Sequence, residues 1–390
     1  MDGIYLDNNA TTRPADQVVE AVDEANRRLW ANPSSVHRAG QEVRRALDLA
    51  RAEVAELLGC RERELVFTSG ATESNNLALR GIAAVRDTDR QPRKLIVSTP
   101  LEHAAIREPL DQLQREGYQT AMLPATRSGL VDADALDELL AGRADQIALV
   151  SVHWANNETG VVQPIERIAA ACRAHRVPLH TDATQAVGKL PVDFAELPVA
   201  AASFSAHKFH GPKGVGGLYV NGSQRLRPQL IGGPQERQRR GGTENVPAII
   251  GMGVAARLAR QWVAGDGPTR VAALRDRFEK TITHTAPDVV INAGDAPRLC
   301  NTSNLSSPGL EAEAMLILLS ERGVFASAGA ACSSGSLEPS PVLLAMGIGD
   351  AIAHGAVRLI LSRQTDQAQV DQAATIYLQA LDKLRQSMPA

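Results

Sequence analysis

The chain has 390 residues, of which 44% are hydrophobic, and a formal net charge of −3 at pH 7. This length is enough to bury a large core and predicts two domains. The charge gives no sign of the basic surface that nucleic-acid-binding proteins carry, and no apolar run approaches the roughly 18 residues that a membrane span needs. Residues 1–7 lack a basic segment followed by an apolar one, so we expect no signal peptide and a cytoplasmic protein.

Lysines are scarce and cysteines are scattered. Only six of the 41 lysine and arginine residues are lysines, so a reaction that needs a lysine amine has few candidates: Lys94, Lys189, Lys208, Lys213, Lys280 and Lys383. The four cysteines form no C-x-x-C pair and no cluster with histidine: Cys60, Cys172, Cys300 and Cys332. This spacing argues against a disulfide framework and a zinc site, and we predict no metal ligands.

The predicted elements begin with helices. Apolar residues recur at helical spacing from residue 15 to about 30 and from about 39 to 58, and Gly59 is placed to end the second helix. Between about 65 and 200, short apolar strands alternate with helices, which is typical of an α/β domain with a largely parallel sheet. In the last part of the chain, the pattern predicts a smaller domain. Its strands are expected near 288–292, 301–306 and 357–362, and its helices near 311–322 and 367–387.

A segment of small residues follows the first predicted strand, at 64–68, and opens a helix. It comprises Ser69, Gly70, Ala71 and Thr72. The free N–H groups and the positive dipole end of a helix that starts in this way bind phosphate. The segment matches neither the P-loop nor the dinucleotide-binding pattern, and a plain Ser/Thr helix cap is the alternative.

Three chemically active side chains follow three predicted strands. His103, Asp182 and Lys208 each come just after an apolar run, where doubly wound sheets place their ligands. For His103, a capping or core histidine is the alternative. Burial at a strand end lowers the pKa of a lysine toward the neutral amine that attacks a carbonyl. Lys208 is therefore the candidate for a Schiff base, and Lys213, which no strand precedes, is its rival.

These features together match the needs of pyridoxal phosphate. That cofactor requires a Schiff-base lysine, a phosphate site and an acid that keeps its pyridine nitrogen protonated. Lys208, residues 69–72 and Asp182 supply all three, so we predict pyridoxal phosphate as the cofactor.

Two later segments are also candidates for function. Residues 232–245 are polar, glycine-rich and basic, which is typical of a functional loop. Cys332 lies within eleven consecutive small residues, 326–336, that provide no apolar bulk to bury it. This setting favours a mobile loop with an accessible, reactive thiol over a structural cysteine.

The chain resembles cysteine desulfurases of the NifS/IscS type, within the class V aminotransferase family of fold-type-I pyridoxal phosphate enzymes. The resemblance runs from end to end and rests on the segments 5–12, 68–76, 154–160, 182–185, 205–208 and 332–339. It implies a large α/β domain at 14–257, built on a mostly parallel seven-stranded sheet. A smaller α+β domain is then expected to comprise 1–13 and 258–390 and to carry the cysteine loop at about 326–336.

The resemblance also implies roles for individual residues around the cofactor. Lys208 binds pyridoxal phosphate covalently, Asp182 pairs with the pyridinium nitrogen, and Gln185 bonds the phenolic oxygen. His103 stacks on the ring and assists proton transfer. The residues expected to hold the phosphate are Ala71, Thr72, Ser205, His207 and Thr243 of the partner subunit. One departure is Gln238, which, like Pro234, stands where the family usually has glycine.

The implied reaction converts L-cysteine to L-alanine. Asn157, which also contacts the cofactor, and Arg358 hold the substrate carboxylate, and Cys332 takes the sulfur as a persulfide. A sulfur-acceptor protein, such as an iron–sulfur scaffold, then receives it from a homodimeric enzyme. The alternatives are a class V aminotransferase or lyase acting on another amino acid, which needs no thiol, and an inactive relative that serves as a binding partner.

Overall fold

The structure is a computed structural model that describes residues 3–89, 91–329 and 339–387. Its helices are α1 (Asp16–Arg28), α2 (Arg38–Leu58), α3 (Ala71–Asp87), α4 (Ala104–Arg115), α5 (Ala133–Arg143), α6 (Ile165–Ala174), α7 (Val246–Ala264), α8 (Gly267–Thr285), α9 (Ala312–Glu321), α10 (Pro341–Ala345), α11 (Asp350–Ala353) and α12 (Gln367–Ser387). Its strands are β1 (Ile4–Tyr5), β2 (Leu65–Thr68), β3 (Leu95–Ser98), β4 (Gln119–Met122), β5 (Ile147–Ser151), β6 (Leu179–Asp182), β7 (Ala201–Ser205), β8 (Gly216–Val220), β9 (Val290–Ile291), β10 (Thr302–Ser306), β11 (Val324–Phe325), β12 (Ser327–Ala328) and β13 (Ala356–Ile360).

The larger sheet has seven strands in the order β2-β8-β7-β6-β5-β3-β4. Strands β7, β6, β5, β3 and β4 are parallel, whereas β8 runs antiparallel to both of its neighbours. This arrangement confirms the predicted mostly parallel seven-stranded sheet. The parallel strands therefore end at one edge, which is where such sheets place their ligands.

Helices cover both faces of this sheet. One apolar cluster joins the sheet to α3 and α4, with Leu77, Ile82 and Ile106 among its fully buried members. A second cluster joins the other face to α1, α2, α6 and α7. Burial on both faces explains why β3 and β5 are continuous apolar runs rather than alternating ones.

The end of α2 is predicted from the sequence, whereas the edge strand β4 is not. Gly59 ends α2 in the left-handed conformation at φ 58°, as predicted. The edge strand β4 is not predicted, because its sequence Gln-Thr-Ala-Met is half-exposed and has neither an apolar run nor alternation.

The later part of the chain forms a smaller antiparallel sheet in the order β12-β13-β10-β9. Helices α8, α9 and α12 pack beside it and share an apolar cluster that includes Phe278, Leu319 and Tyr377. The first strand joins this part, since β1 pairs in parallel with β11 and Leu6 belongs to the same cluster. The domain limits at 14–257 and 258–390 stay a prediction. Among the described residues, no helix has both the length and the hydrophobicity to cross a membrane.

Candidate active site

A cavity of about 520 Å³ lies at the carboxyl ends of the parallel strands. That volume is typical of small-molecule sites. Its wall contains most of the predicted site residues: Ala71, Thr72, His103, Asn157, Asp182, Gln185, Ser205, His207, Lys208 and Arg358. The fold therefore brings together side chains that are separated by up to 287 positions (358 minus 71).

Lys208 enters the cavity from the end of β7. The strand ends at Ser205, and one turn of 3₁₀ helix, Ala206–Lys208, carries the lysine to the cavity wall. Its Nζ donates hydrogen bonds to the backbone oxygens of Asn9, at 2.6 Å, and Ala10, at 2.8 Å. The rival Lys213 also lines the cavity, but it lies exposed in the loop before β8.

Asp182 is the last residue of β6 and is buried. Its Oδ2 accepts a hydrogen bond of 2.8 Å from Asn75 Nδ2, and its Oδ1 accepts one of 2.9 Å from the Thr184 backbone N–H. These two donors hold the carboxylate at the strand end. Asn75 comes from α3, so the sequence alone does not show that it reaches Asp182.

His103 is the N-cap residue of α4. Its Nδ1 accepts a hydrogen bond of 3.0 Å from the Ala105 backbone N–H, which leaves Nε2 to carry the proton of the neutral ring. Burial lowers the pKa of His103, and Lys208 adds to this effect, while Asp182 opposes it. The His103 side chain therefore caps α4, as the alternative in the sequence analysis has it, and is also a neutral group in the cavity wall.

A set of hydrogen-bond donors converges at the start of α3. Gly70 is its N-cap residue, so the N–H groups of Ala71 and Thr72 belong to the unpaired first turn. A Cβ atom at Gly70 would meet only Ser205 Oγ, at 3.7 Å, within 4 Å, which shows open space there. Burial and nearby lysine charges, Lys208 first among them, lower the pKa of His207 to about 4. Helix N–H groups, a hydroxyl and a neutral imidazole fit the oxygens of a phosphate.

Gln185 is held between two residues that the sequence analysis does not single out. Its Nε2 donates to the Asn9 backbone oxygen at 3.0 Å, and its Oε1 accepts from Lys189 Nζ at 2.5 Å. Lys189 Nζ also donates to Asn9 Oδ1 at 3.3 Å. The four-residue spacing between Gln185 and Lys189 is a signal for this contact, but Asn9 is far away in sequence.

Arg358 lies in the middle of β13 and is 3% exposed. Its Nη2 donates to Asp7 Oδ1 at 2.8 Å, and its Nη1 donates to the Asn157 backbone oxygen at 3.2 Å. The guanidinium hydrogen bond thus links Arg358 to Asn157, the other predicted substrate-binding residue, at one side of the cavity. The buried Nε–H group of Arg358 makes no hydrogen bond within the described residues.

Cys332 lies in the segment 330–338, outside the described residues. The described residues next to that segment meet at Glu158: Ser340 Oγ donates to its Oε2 at 2.5 Å, and a side chain at Gly329 would collide with the same oxygen. Burial raises the pKa of Glu158 to about 7. The sequence analysis does not identify this buried acid as part of the site.

The other three cysteines are unsuited to act as nucleophiles. Burial raises the pKa of Cys60 and of Cys172 to about 12, and it also raises the pKa of Cys300. Such thiols stay protonated at neutral pH, whereas the thiolate is the reactive form.

The loop at 232–245 is held by a buried ion pair. Glu236 accepts from Arg51 through both carboxylate oxygens, at 2.5 and 3.2 Å, and from the Phe67 backbone N–H at 2.9 Å. Gln238 has a φ of 64°, a left-handed conformation that favours the glycine usual in the family. Thr243 lines a smaller cavity with Ser69. That Thr243 of the partner subunit reaches the main cavity stays a prediction.

Comparison with known proteins identifies relatives of the whole chain. Residues 4–373 match the model of the family described as aminotransferase class V. Over 389 residues, the chain is 42% identical to a protein from Trichormus azollae named cysteine desulfurase, covering 100% of this chain and 95% of that protein.

Solved structures share the fold. One described as a NifS-like protein has a TM-score of 0.89 and 34% identity, and the match covers 98% of this chain and 100% of that one. Another, described as SspA in complex with cysteine, has a TM-score of 0.81 and 34% identity over 92% of this chain and 98% of that one. These likenesses confirm the predicted fold class.

Proposed function

The chain belongs to the class V aminotransferase family, and we propose that its activity is that of a cysteine desulfurase, which removes sulfur from L-cysteine and releases L-alanine. Pyridoxal phosphate is the cofactor of this family, as the sequence analysis predicts. The name of the Trichormus azollae relative and the cysteine complex of the SspA structure support this substrate and this reaction.

The observation that carries the proposal is the pairing of Lys208 and Asp182 at adjacent strand ends in one cavity. Strands β6 and β7 are parallel neighbours, with Asp182 opposite Ser203 in the ladder. Lys208 and Asp182 therefore lie at one edge of the sheet, with the donor-rich start of α3 in the same cavity wall. This set of groups fits pyridoxal phosphate.

Each of these residues has a role toward the bound cofactor. When bound, pyridoxal phosphate supplies an electron sink for the substrate Cα. Asp182 keeps the ring nitrogen protonated, and His103 stacks on the ring and assists proton transfer. Gln185 donates to the phenolic oxygen, and Asn157 contacts the cofactor as well. The phosphate is bound by Ala71, Thr72, Ser205, His207 and Thr243 of the partner subunit.

Lys208 moves the proton on which the reaction depends. Its Nζ contacts the backbone oxygens of Asn9 and Ala10 in the wall of the cavity. Once its Nζ is released as a free amine, it can therefore take the substrate Cα proton and return a proton later. Arg358 and Asn157 hold the substrate carboxylate, which fixes the Cα–H bond toward that amine.

Sulfur transfer needs a nucleophile outside the described residues, and Cys332 has this role. Its thiolate attacks the substrate Sγ, so that an S–S bond forms and the substrate Cβ–S bond breaks. The bonding pair passes to the substrate carbon, which is then protonated. L-cysteine and the Cys332 thiol thus become L-alanine and a Cys332 persulfide, and no external oxidant is needed.

The test is an assay of the purified, pyridoxal phosphate-loaded protein with L-cysteine. We expect one alanine per sulfur released, and Cys332→Ser should abolish persulfide formation while it retains the bound cofactor. Cys60→Ser is the matched control, because the pKa of that thiol is about 12. Release of alanine by Cys332→Ser at the wild-type rate, or no alanine from the wild type, would overturn the proposal.

The protein acts as a homodimer under this proposal. Three large apolar side chains lie exposed in loops, Trp30 at 80%, Val36 at 93% and Ile231 at 89%. Burial of these side chains against a second copy of the chain would remove apolar area from water and so favour a dimer. Light scattering is expected to give twice the chain mass, and Ile231→Asp should shift the protein toward the monomer.

The persulfide is passed to a sulfur-acceptor protein such as an iron–sulfur scaffold, and the protein works in the cytoplasm.

The proposal also includes a division into two domains, a large one at 14–257 and a small one at 1–13 and 258–390. One apolar cluster supports this division, because its buried members come only from residues 4–6 and 271–381.

A further inference from the structure

Lys189 is a second buried lysine beside the active site. It is 7% exposed, and its Nζ contacts two carboxamide oxygens, Gln185 Oε1 at 2.5 Å and Asn9 Oδ1 at 3.3 Å. No carboxylate pairs with it among the described residues. A buried lysine held only by neutral oxygens is costly to the folded state, because an ammonium group loses its hydration there.

The contact settles the orientation of the Gln185 carboxamide. A lysine ammonium group has only donors, so the amide atom that faces it must be the oxygen. The Nε2 end of Gln185 consequently points away from Lys189 and donates to the Asn9 backbone oxygen. Gln185 and Asn9 line the main cavity, whereas Lys189 lines a smaller neighbouring one.

Lys189 also contacts Asn9, the residue to which Lys208 donates a hydrogen bond. Asn9 is contacted by Lys189 at its side-chain oxygen and by Lys208 at its backbone oxygen. Asn9 Nδ2 in turn donates to the Asn157 backbone oxygen at 3.1 Å. Lys189 thus touches one predicted site residue, Gln185, directly and reaches two others, Lys208 and Asn157, through Asn9.

We propose that Lys189 is a positioning residue, which holds the Gln185 carboxamide so that its N–H group faces the phenolic oxygen of the cofactor. The inference rests on the proposed function, since it presupposes bound pyridoxal phosphate. Without Lys189 only the Asn9 backbone oxygen holds the carboxamide, so its N–H group is directed less firmly at the phenolic oxygen.

The charges around Lys189 are consistent with this role. Burial lowers its pKa to about 7, the charges of Lys208 and Arg358 act in the same direction, and Cys300 opposes them. The neutral amine still donates through its N–H groups, and the Asn9 backbone oxygen accepts from Gln185 Nε2, so the orientation of Gln185 is preserved in both protonation states.

The test is a pH titration of the visible absorption of the bound cofactor in wild type and Lys189→Met. A donor to the phenolic oxygen stabilises its deprotonated form and thereby lowers the midpoint of the titration. We expect the midpoint of Lys189→Met to rise by about one pH unit, the size of a hydrogen bond to a charged group. Lys383→Met, an exposed lysine in α12, is the matched control and should titrate like the wild type.

A second variant tests the same contact from its other side. Gln185→Leu should raise the midpoint by a similar amount, and Lys189→Met in that background should add little to it. If Lys189→Met does not fold, Gln185→Leu alone decides, since an unchanged midpoint there overturns the proposal. A midpoint of Lys189→Met equal to that of the wild type also overturns it.

These outcomes are separable from failure of the proposed function. If wild-type protein mixed with pyridoxal phosphate develops no visible band, the proposed function itself is wrong. If the wild type shows a band that titrates and the Lys189 and Gln185 variants match it, only the positioning role is wrong.

Discussion

The two sides of the active-site cavity hold their charged groups in different ways. On the side of the larger sheet, the Lys208 amine contacts the neutral backbone oxygens of Asn9 and Ala10. On the side of the smaller sheet, the Arg358 guanidinium contacts the Asp7 carboxylate at 2.8 Å. Lys208 is thus held in part by uncharged backbone oxygens, whereas Arg358 has a counter-charge.

This difference matches two kinds of chemistry. The role proposed for Lys208 needs an amine that can give up its proton, and backbone oxygens stabilise an ammonium group less than a carboxylate does. The Arg358 guanidinium is a planar cation whose parallel N–H groups match a carboxylate. Under the proposed function, the larger sheet thus carries the group that reacts, and the smaller sheet carries the group that binds the substrate.

The largest expected effect is on the reacting side. Lys208→Ala removes the amine that binds the cofactor and moves the proton, so alanine formation should fall by about a thousand-fold or more. The assay is alanine release under saturating pyridoxal phosphate, with the visible absorption band recorded in parallel. Lys213→Ala tests the rival lysine, and loss of the band in that variant alone would contradict the assignment.

The next effect concerns Glu158, which is buried at the edge of the binding side. Its pKa is raised to about 7 from 4.5, so the folded state binds its proton more tightly than the unfolded state does. The protonated Glu158 carboxyl therefore stabilises the folded state fully below about pH 4.5, and this stabilisation is lost as the pH rises through about 7.

Glu158→Gln, which carries no titrating charge, should not show that loss. We expect its free energy of unfolding, relative to the wild type, to rise between pH 5 and pH 8 by on the order of 3 kcal/mol. Urea unfolding at several pH values measures it. A difference between the two proteins that stays constant with pH would show that Glu158 is already ionised at pH 5.

Arg358→Met tests the binding group itself. Loss of charge-assisted hydrogen bonds to the substrate carboxylate should lower kcat/KM for L-cysteine by about thirty-fold, mainly through KM. Steady-state kinetics measure this, and Arg385→Met, which breaks an exposed pair with Asp288, is the control. A fall in kcat with KM unchanged would place Arg358 on the reacting side instead.

The smallest effect is expected for Ser340→Ala. The Ser340 hydroxyl donates to Glu158 and lowers the pKa of that acid against the effect of burial. Its removal should raise the pKa of Glu158 further and cost about 1 kcal/mol of stability at pH 8. The same urea experiments detect both changes, and Ser387→Ala on α12 serves as the surface control. An unaltered pH profile would show that this hydrogen bond is weak.

The sequence predicts the reacting side better than the binding side. Lys208 and Asp182 follow apolar strands directly, and strand ends in a parallel sheet meet by geometry alone. The same reasoning locates the start of α3, because a small-residue segment after a strand is visible as a local pattern. These features need no knowledge of distant contacts.

The other residues of the candidate site are brought there by contacts between distant parts of the chain. From sequence alone, Arg358 is one arginine among 35, and only the family resemblance singles it out. Asn75 and Asp182 are 107 positions apart, and Asn9 and Lys189 are 180 positions apart. Such partners have no local pattern, since they are set by how the strands and helices pack.

The early chain segment has a consequence for how the protein is made. Residues 4–9 are synthesised long before β13, yet Leu6 accepts a hydrogen bond from Ile360, Asn8 donates to Ile360, and Asp7 pairs with Arg358, 351 positions later. During translation this segment waits until β13 has left the ribosome. Its late docking adds contacts of the longest sequence separation, which slow folding. A chain that stops before β13 leaves Asp7 without its guanidinium and the active site without its binding side.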